Sequence, residues 1–315
     1  MTAAEKIATV EGDTFQQRLR DGLGIHRFLA RREVLELPGD PAIHCELYRH
    51  GPAAPVLLFL PGLGTYVELY AELLSRLCDK GFNVVGIDPR GHGYSGGDRG
   101  YCRVEDLVGD LQRLLDRLEQ EFRGPFTVFG YSGGAVSAVA LAERDRRIQA
   151  VLAGTLLLGE MEPDWLHGVG WNWTRTSAWF FPRLKLPLQQ FLDFEALLDG
   201  HPAGPLISQD PRLVTEYPLA TLASLFSQRS EILRQHCTFR LAILQGDRDE
   251  VLDANYARRV MARARQPIEL LLLKGRGICC PGTIRPPWPG RRPAGCTGRW
   301  LNRSGAVSTL PTLFA

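Results

Sequence analysis

Several things are scarce in this 315-residue chain, and each scarcity excludes a class of protein. No apolar run reaches the roughly 18 to 20 residues that span a bilayer, and Met1 to Arg20 is charged where a signal peptide would be apolar, so a cytoplasmic location is expected. Charge of one sign is scarce too. The formal net charge is +2, with no basic stripe and no aromatic-interleaved Lys/Arg run, which excludes nucleic acid as the expected partner. The seven cysteines (Cys45, Cys78, Cys102, Cys237, Cys279, Cys280 and Cys296) form no CxxC pair and have no histidine at zinc-ligand spacing. Cys45, Cys78 and Cys237 therefore read as buried thiols, and no metal is expected. Two absences are local. No histidine follows His236, and no Asp or Glu occurs between Gly275 and Ala315.

What is present is an ordinary globular composition, 44% apolar and 23% charged, long enough for one large α/β domain with an insertion. From Arg31 onward, short apolar runs alternate with amphipathic stretches, the pattern of strands joined by helical crossovers. Strands are predicted at Glu33 to Leu37, Ile43 to Tyr48, Val56 to Leu60, Phe82 to Ile87, Phe126 to Phe129, Ala150 to Ala153, Leu241 to Leu244 and Ile268 to Leu273. Helices are predicted over Tyr66 to Lys80, which stops before Gly81, and over Val104 to Phe122, whose leucines 107, 111, 114, 115 and 118 share one face.

The alternation divides the chain into an N-terminal helical extension (1–30), an α/β core (31–155 and 237–274), a helical cap (156–236) and an atypical tail (275–315). The cap concentrates Trp165, Trp171, Trp173, Trp179, Phe180 and Phe181 in a short span. These aromatics either pack the cap onto the core, line a pocket for an apolar chain, or touch a lipid surface.

The chemistry centres on Gly130-Tyr131-Ser132-Gly133-Gly134, between the apolar strand ending at Phe129 and the Ala-rich helix Ala135 to Glu143. A strand turning sharply into a helix holds the serine in a strained conformation that tolerates only very small residues two before and two after it. Ser132 is thereby a candidate nucleophile, and the N–H of Gly133, at the positive helix end, a candidate oxyanion donor. The loop Pro61-Gly62-Leu63-Gly64 after an earlier strand offers the Leu63 N–H as a second donor, although glycine turns of this kind also occur for turn chemistry alone. Asp88 through Gly97 forms a long ordered loop in which Asp88, Arg90 and His92 fix the backbone, with a direct role for His92 as the alternative. After the late strand at Leu241 to Leu244, Asp249 is the favoured acid to orient a histidine, with Asp247 its competitor and Glu250 a distant third.

These motifs together resemble the α/β-hydrolase superfamily, and more narrowly the lysophospholipase and monoacylglycerol lipase group that includes serine aminopeptidase S33-type sequences. The resemblance covers about Arg31 to Leu273 and rests on the Pro61 to Gly64 loop, Asp88 through Gly97, the continuation Asp98-Arg99-Gly100, and the Ser132 elbow. Where the family usually has histidine, this chain has Pro61. The resemblance implies a mostly parallel sheet with helices on both faces, an inserted helical cap, and hydrolysis of carboxylic esters with an apolar acyl chain, without a cofactor. The aromatic cluster, apart from the resemblance, adds transient membrane-surface contact through the cap as an expectation. Serine rather than aspartate at the elbow argues against the dehalogenase and epoxide hydrolase branches. A peptidase or thioesterase on the same machinery, or a non-catalytic binder, are the alternatives.

The superfamily's chain order is Ser, acid, His, with the histidine after the last strand in a Gly-x-Gly-His loop. This sequence offers Gly275-Arg276-Gly277-Ile278, so Ile278 stands where the base is expected. An out-of-frame translation accounts for the tail: if Ile278-Cys279-Cys280 are encoded ATC TGC TGC, restoring one C before them gives CAT CTG CTG, which is His-Leu-Leu. The same shift accounts for the missing acids and the burst of Cys and Pro.

Overall fold

The structure, a computed structural model, describes residues 14–188, 203–249 and 252–274. The tail from residue 275, with the expected base position at Ile278, and the competitor acid Glu250 lie outside the described residues.

Eight strands form one sheet in the order β1-β2-β4-β3-β5-β6-β9-β10. They are β1 (Glu33–Leu37), β2 (Ile43–Tyr48), β3 (Val56–Leu60), β4 (Asn83–Ile87), β5 (Phe126–Tyr131), β6 (Ile148–Gly154), β9 (Arg240–Gly246) and β10 (Ile268–Leu273). The first two run antiparallel, and every pairing from β4 to β10 is parallel. β3, β4 and β5 are buried along their whole length, which is why they read as continuous apolar runs rather than alternating ones.

Side-chain alternation sorts the core into two layers. Val56, Leu58 and Leu60 face one way and pack with helices α2 (Val104–Leu118), α3 (Gly133–Arg144) and α6 (Ala254–Arg263). Leu57 and Phe59 face the other way and pack against α1 (Ala71–Asp79) through Leu74 and Leu77. Helices thus cover both faces, and the carboxyl ends of β3, β5, β6, β9 and β10 all open on one edge.

The segment between β6 and β9 forms the inserted cap. Its described part holds α4 (Trp165–Phe180), a two-stranded antiparallel pair of β7 (Lys185–Pro187) and β8 (Glu216–Pro218), and α5 (Leu219–Ser227). Of the six clustered aromatics only Trp171 is buried, stacked on Phe226 at 4.9 Å and 10°. Trp165, Trp173, Trp179, Phe180 and Phe181 are exposed, so packing accounts for one of the six, and its stacking partner Phe226 belongs to the cap as well. Among the described residues no helix is long and apolar enough to cross a membrane.

Candidate active site

Ser132 stands where β5 becomes α3, with φ 51° and ψ −119°, in the left-handed region that a residue with a Cβ avoids. The strain is held from both sides: its N–H donates to Gly154 O at 2.7 Å and its C=O accepts from Ala135 N–H at 2.8 Å. The flanking glycines are needed because the backbone doubles back on itself. A Cβ on Gly130 would lie 2.3 Å from Gly134 O, and one on Gly134 would lie 2.6 Å from both Leu60 O and Pro61 O.

The loop after β3 packs directly against this elbow. A methyl group built on Gly62 would stand 3.5 Å from Ser132 Cβ, and one on Gly133 only 2.8 Å from Leu63 Cγ. Leu63 and Gly133 both line a cavity of about 40 Å³ together with His92 and Tyr217. Neither the Leu63 N–H nor the Gly133 N–H has a hydrogen-bond acceptor among the described residues. Two unspent backbone donors beside a strained serine can receive a developing negative charge on a substrate oxygen.

Asp249 follows the carboxyl end of β9 and is 5% exposed. Its Oδ2 accepts from Thr155 Oγ1 and from Gln245 Nε2, both at 3.1 Å, and its Oδ1 accepts from the Leu252 N–H at 3.0 Å. Asp247 is exposed. Thr155 and Gln245 escape sequence reasoning, although a polar Gln245 in an otherwise apolar strand signals a buried group that needs a partner. Thr155 carries no such signal. It continues β6 with φ 54°, a rare conformation for a β-branched residue.

The loop after β4 has a structural role. Asp88 accepts from the Val67 N–H at 2.7 Å and the Tyr94 N–H at 2.9 Å, and burial pushes its carboxyl pKa up to about 6. Arg90 makes a bidentate pair at 2.7 and 2.9 Å with Asp110 on α2, so its carboxylate partner comes from a helix and not from its own loop. His92 is buried, and desolvation pushes its pKa down to about 4 against the opposing pull of the Arg90 carbonyl. Both ring nitrogens are engaged: Nδ1 lies 2.8 Å from Arg90 O and Nε2 lies 2.6 Å from the Tyr217 hydroxyl. The carbonyl can only accept, so Nδ1 carries the proton and Nε2 accepts from Tyr217. That leaves no nitrogen to take a proton from Ser132. The other described histidines hold structural contacts or lie elsewhere: His26 pairs with Asp21, His167 with Asp164, and His44 sits on β2 beside Glu46.

The sequence profile of the serine aminopeptidase family S33 matches residues 51–275. Over 102 residues the chain is 36% identical to a putative non-heme haloperoxidase of Mycobacterium phage D29, covering 32% of this chain and 36% of that protein. Over 89 residues it is 33% identical to an uncharacterised abhydrolase domain-containing protein of Dictyostelium discoideum, covering 28% of this chain and 9% of that protein. The chain thus spans little more than a third of the first relative's length and about a tenth of the second's in these matches. Among solved structures, a soluble variant of monoglyceride lipase from Saccharomyces cerevisiae superposes with a TM-score of 0.64 at 16% identity, over 78% of this chain and 86% of that one. The monoacylglycerol lipase of Paleococcus ferrophilus superposes with a TM-score of 0.60 at 20% identity, over 78% and 90%. At such identities the structural likeness speaks for the fold alone. The profile match takes in the loop after β3, the elbow, and the end of β9, and with it the chain belongs to the serine aminopeptidase family S33 of α/β-hydrolases.

Proposed function

We propose that this chain is a serine hydrolase built to cleave carboxylic esters with an apolar acyl chain, of monoacylglycerol or lysophospholipid type. The observation that carries the reading is the left-handed backbone of Ser132 at the N-terminus of α3, a strain that serves to present a nucleophile. Ser132 Oγ attacks the ester carbonyl carbon, the carbonyl electron pair moves onto oxygen, and the Leu63 and Gly133 N–H groups receive that oxyanion. Collapse of the tetrahedral adduct expels the alcohol and leaves an acyl-serine, which water hydrolyses. Asp249 orients the histidine that carries the protons in both halves. The likeness to two monoacylglycerol lipases favours an acylglycerol-like substrate, and the outward aromatics of α4 favour contact between the cap and a lipid surface in a cytoplasmic protein.

The base is the weak link, since Ile278 occupies its expected position and an isoleucine cannot accept a proton. We attribute this to a shifted reading frame from that residue onward; resequencing the gene checks it, and an unbroken frame sinks it. A chain with the frame restored and histidine at 278 is expected to react with a fluorophosphonate probe at Ser132. The present chain should react at least roughly a thousandfold more slowly, as triad deletions do. Absence of labelling in the restored chain would overturn the enzyme reading and favour a non-catalytic binder. Labelling with preference for thioester or peptide substrates would move the assignment within the same machinery.

A further inference from the structure

The oxyanion donor at Leu63 sits in a loop that two glycines make easy to reorient, and the structure shows what holds it. Gly62 C=O and Leu63 N–H belong to one planar trans peptide and point opposite ways. Gly62 O accepts from Thr65 Oγ1 at 2.9 Å and from the Thr65 N–H at 3.3 Å. The carbonyl is thereby turned toward Thr65, and the Leu63 N–H is turned away from it. The Thr65 hydroxyl hydrogen is spent on Gly62, so the 2.9 Å contact between Thr65 Oγ1 and the Tyr70 hydroxyl has Tyr70 as donor. Thr65 is in turn fixed by a buried phenol.

The next residue is held from the cap. Gly64, at φ 82°, donates its N–H to the Tyr217 hydroxyl at 2.6 Å and accepts from the Val214 N–H at 2.9 Å. Tyr217 donates onward to His92 Nε2, and His92 Nδ1–H donates to Arg90 O, so each donor in this chain of hydrogen bonds has one direction available to it. Burial pushes the Tyr217 phenol pKa up, which keeps its proton in place for that bond. Arg99 reinforces the same junction. Its guanidinium bonds Gly91 O and Gly93 O on one side and the carbonyls of Pro211, Arg212 and Leu213 on the other.

We infer that Thr65 and Tyr217 are positioning residues for the oxyanion site: their hydroxyls lock the Gly62-Leu63-Gly64 backbone with the Leu63 N–H available to substrate, and the cap strand β8 sets that lock. The inference rests on the serine hydrolase reading. Without the lock, the Gly62–Leu63 peptide turns over and presents a carbonyl oxygen where the oxyanion forms.

The test uses the full chain with its frame restored and histidine at 278, carrying in turn Thr65→Val, which keeps the shape and loses the hydroxyl, Thr65→Ser, which restores it, and Tyr217→Phe. Two readouts are taken: amide hydrogen exchange across residues 62–65 and the rate of Ser132 labelling by a fluorophosphonate. Thr65→Val is expected to raise exchange by about tenfold or more and to slow labelling by about a hundredfold, at an unchanged melting temperature within about 3 °C. Thr65→Ser should restore both to within about threefold, and Tyr217→Phe should raise exchange at Gly64 in particular. Equal exchange and equal labelling in Thr65→Val and the parent overturn the inference. If the frame-restored parent does not label at all, the hydrolase reading fails on its own, and exchange alone decides the lock: a rise in Thr65→Val sustains it and no rise overturns it.

Discussion

Ser132 holds a conformation that costs about 1 to 3 kcal/mol for a residue with a Cβ. Its retention at a turn that glycine would occupy without strain makes a direct prediction. Ser132→Gly should raise stability by about 1 kcal/mol, after allowing for the greater freedom of glycine in the unfolded chain, while abolishing probe labelling. Ser132→Ala keeps the strain and should abolish labelling with no such gain. Thermal unfolding of the two variants side by side checks this, and equal melting temperatures would remove strain from the account. Thr155 is the second residue of this kind, and its hydroxyl is what the carboxylate of Asp249 receives in exchange. The sequence indicated Ser132 and Asp249 because each follows an apolar strand at a fixed short interval. Thr155 and Tyr217 were not legible because their partners Asp249 and Gly64 lie 94 and 153 positions away, and Thr65, bonded only to near neighbours, reads as an ordinary turn residue.

Among the elements, all eight strands of the sheet were legible, because buried strands of β-branched and aliphatic residues stand out between amphipathic helices. The ends were less so. β5 runs on to Tyr131 and β6 from Ile148 to Gly154, past the apolar runs that announced them, since pairing of Tyr131 with Gly154 carries the ladder up to the elbow. The predicted helix Tyr66 to Lys80 begins with a separate 3₁₀ turn, Val67–Tyr70, because Asp88 takes the Val67 N–H at its start. The helix from Val104 closes at Leu118, whose carbonyl accepts from both the Glu121 and Phe122 N–H groups and ends the regular ladder. The cap was legible as an interruption, but the outward turn of its aromatics was not, because no regular period separates inner from outer positions there. α4 and the residues after it leave Trp165, Leu166, Trp179, Phe180 and Phe181 exposed, Trp179 by 89%. Such a face is expected to adsorb to phosphatidylcholine vesicles. A Trp179→Ser, Phe180→Ser double variant should lose most of the vesicle-bound fraction in co-sedimentation while keeping the same melting temperature; undiminished binding would dissociate this face from membranes.

At the scale of the whole molecule, two buried groups in one loop set opposite responses to acid. The pKa of His92 is pushed down from 6.5 to about 4 by burial, so the unfolded chain binds its proton first and stability falls as pH drops from 6.5 to 4. The carboxyl of Asp88 is pushed up from 3.8 to about 6, also by burial, so its contribution is fully present below 3.8 and is lost as pH rises through 6. Each amounts to about 3 kcal/mol, and between pH 4 and 6 they oppose one another. His92→Gln removes one and leaves the other. Relative to the parent, that variant should gain about 3 kcal/mol in stability on going from pH 7 to pH 4, measured from urea midpoints; a difference independent of pH would show that His92 is not held neutral.

The double grip on Gly64 also bears on exchange of parts between relatives. An inserted cap looks detachable, a module that evolution or an engineer could replace to change what the hydrolase accepts. Here the cap segment that carries Val214 and leads into Tyr217 on β8 occupies both backbone groups of a residue in the core. A transplanted cap that lacks an equivalent N–H and hydroxyl leaves the recipient with a loosened Gly62-Leu63-Gly64 loop, however well its own pocket suits the new substrate. The seam for a functional chimaera therefore lies inside the cap, after β7 and before residue 213, so that the strand at β8 stays with the core it serves.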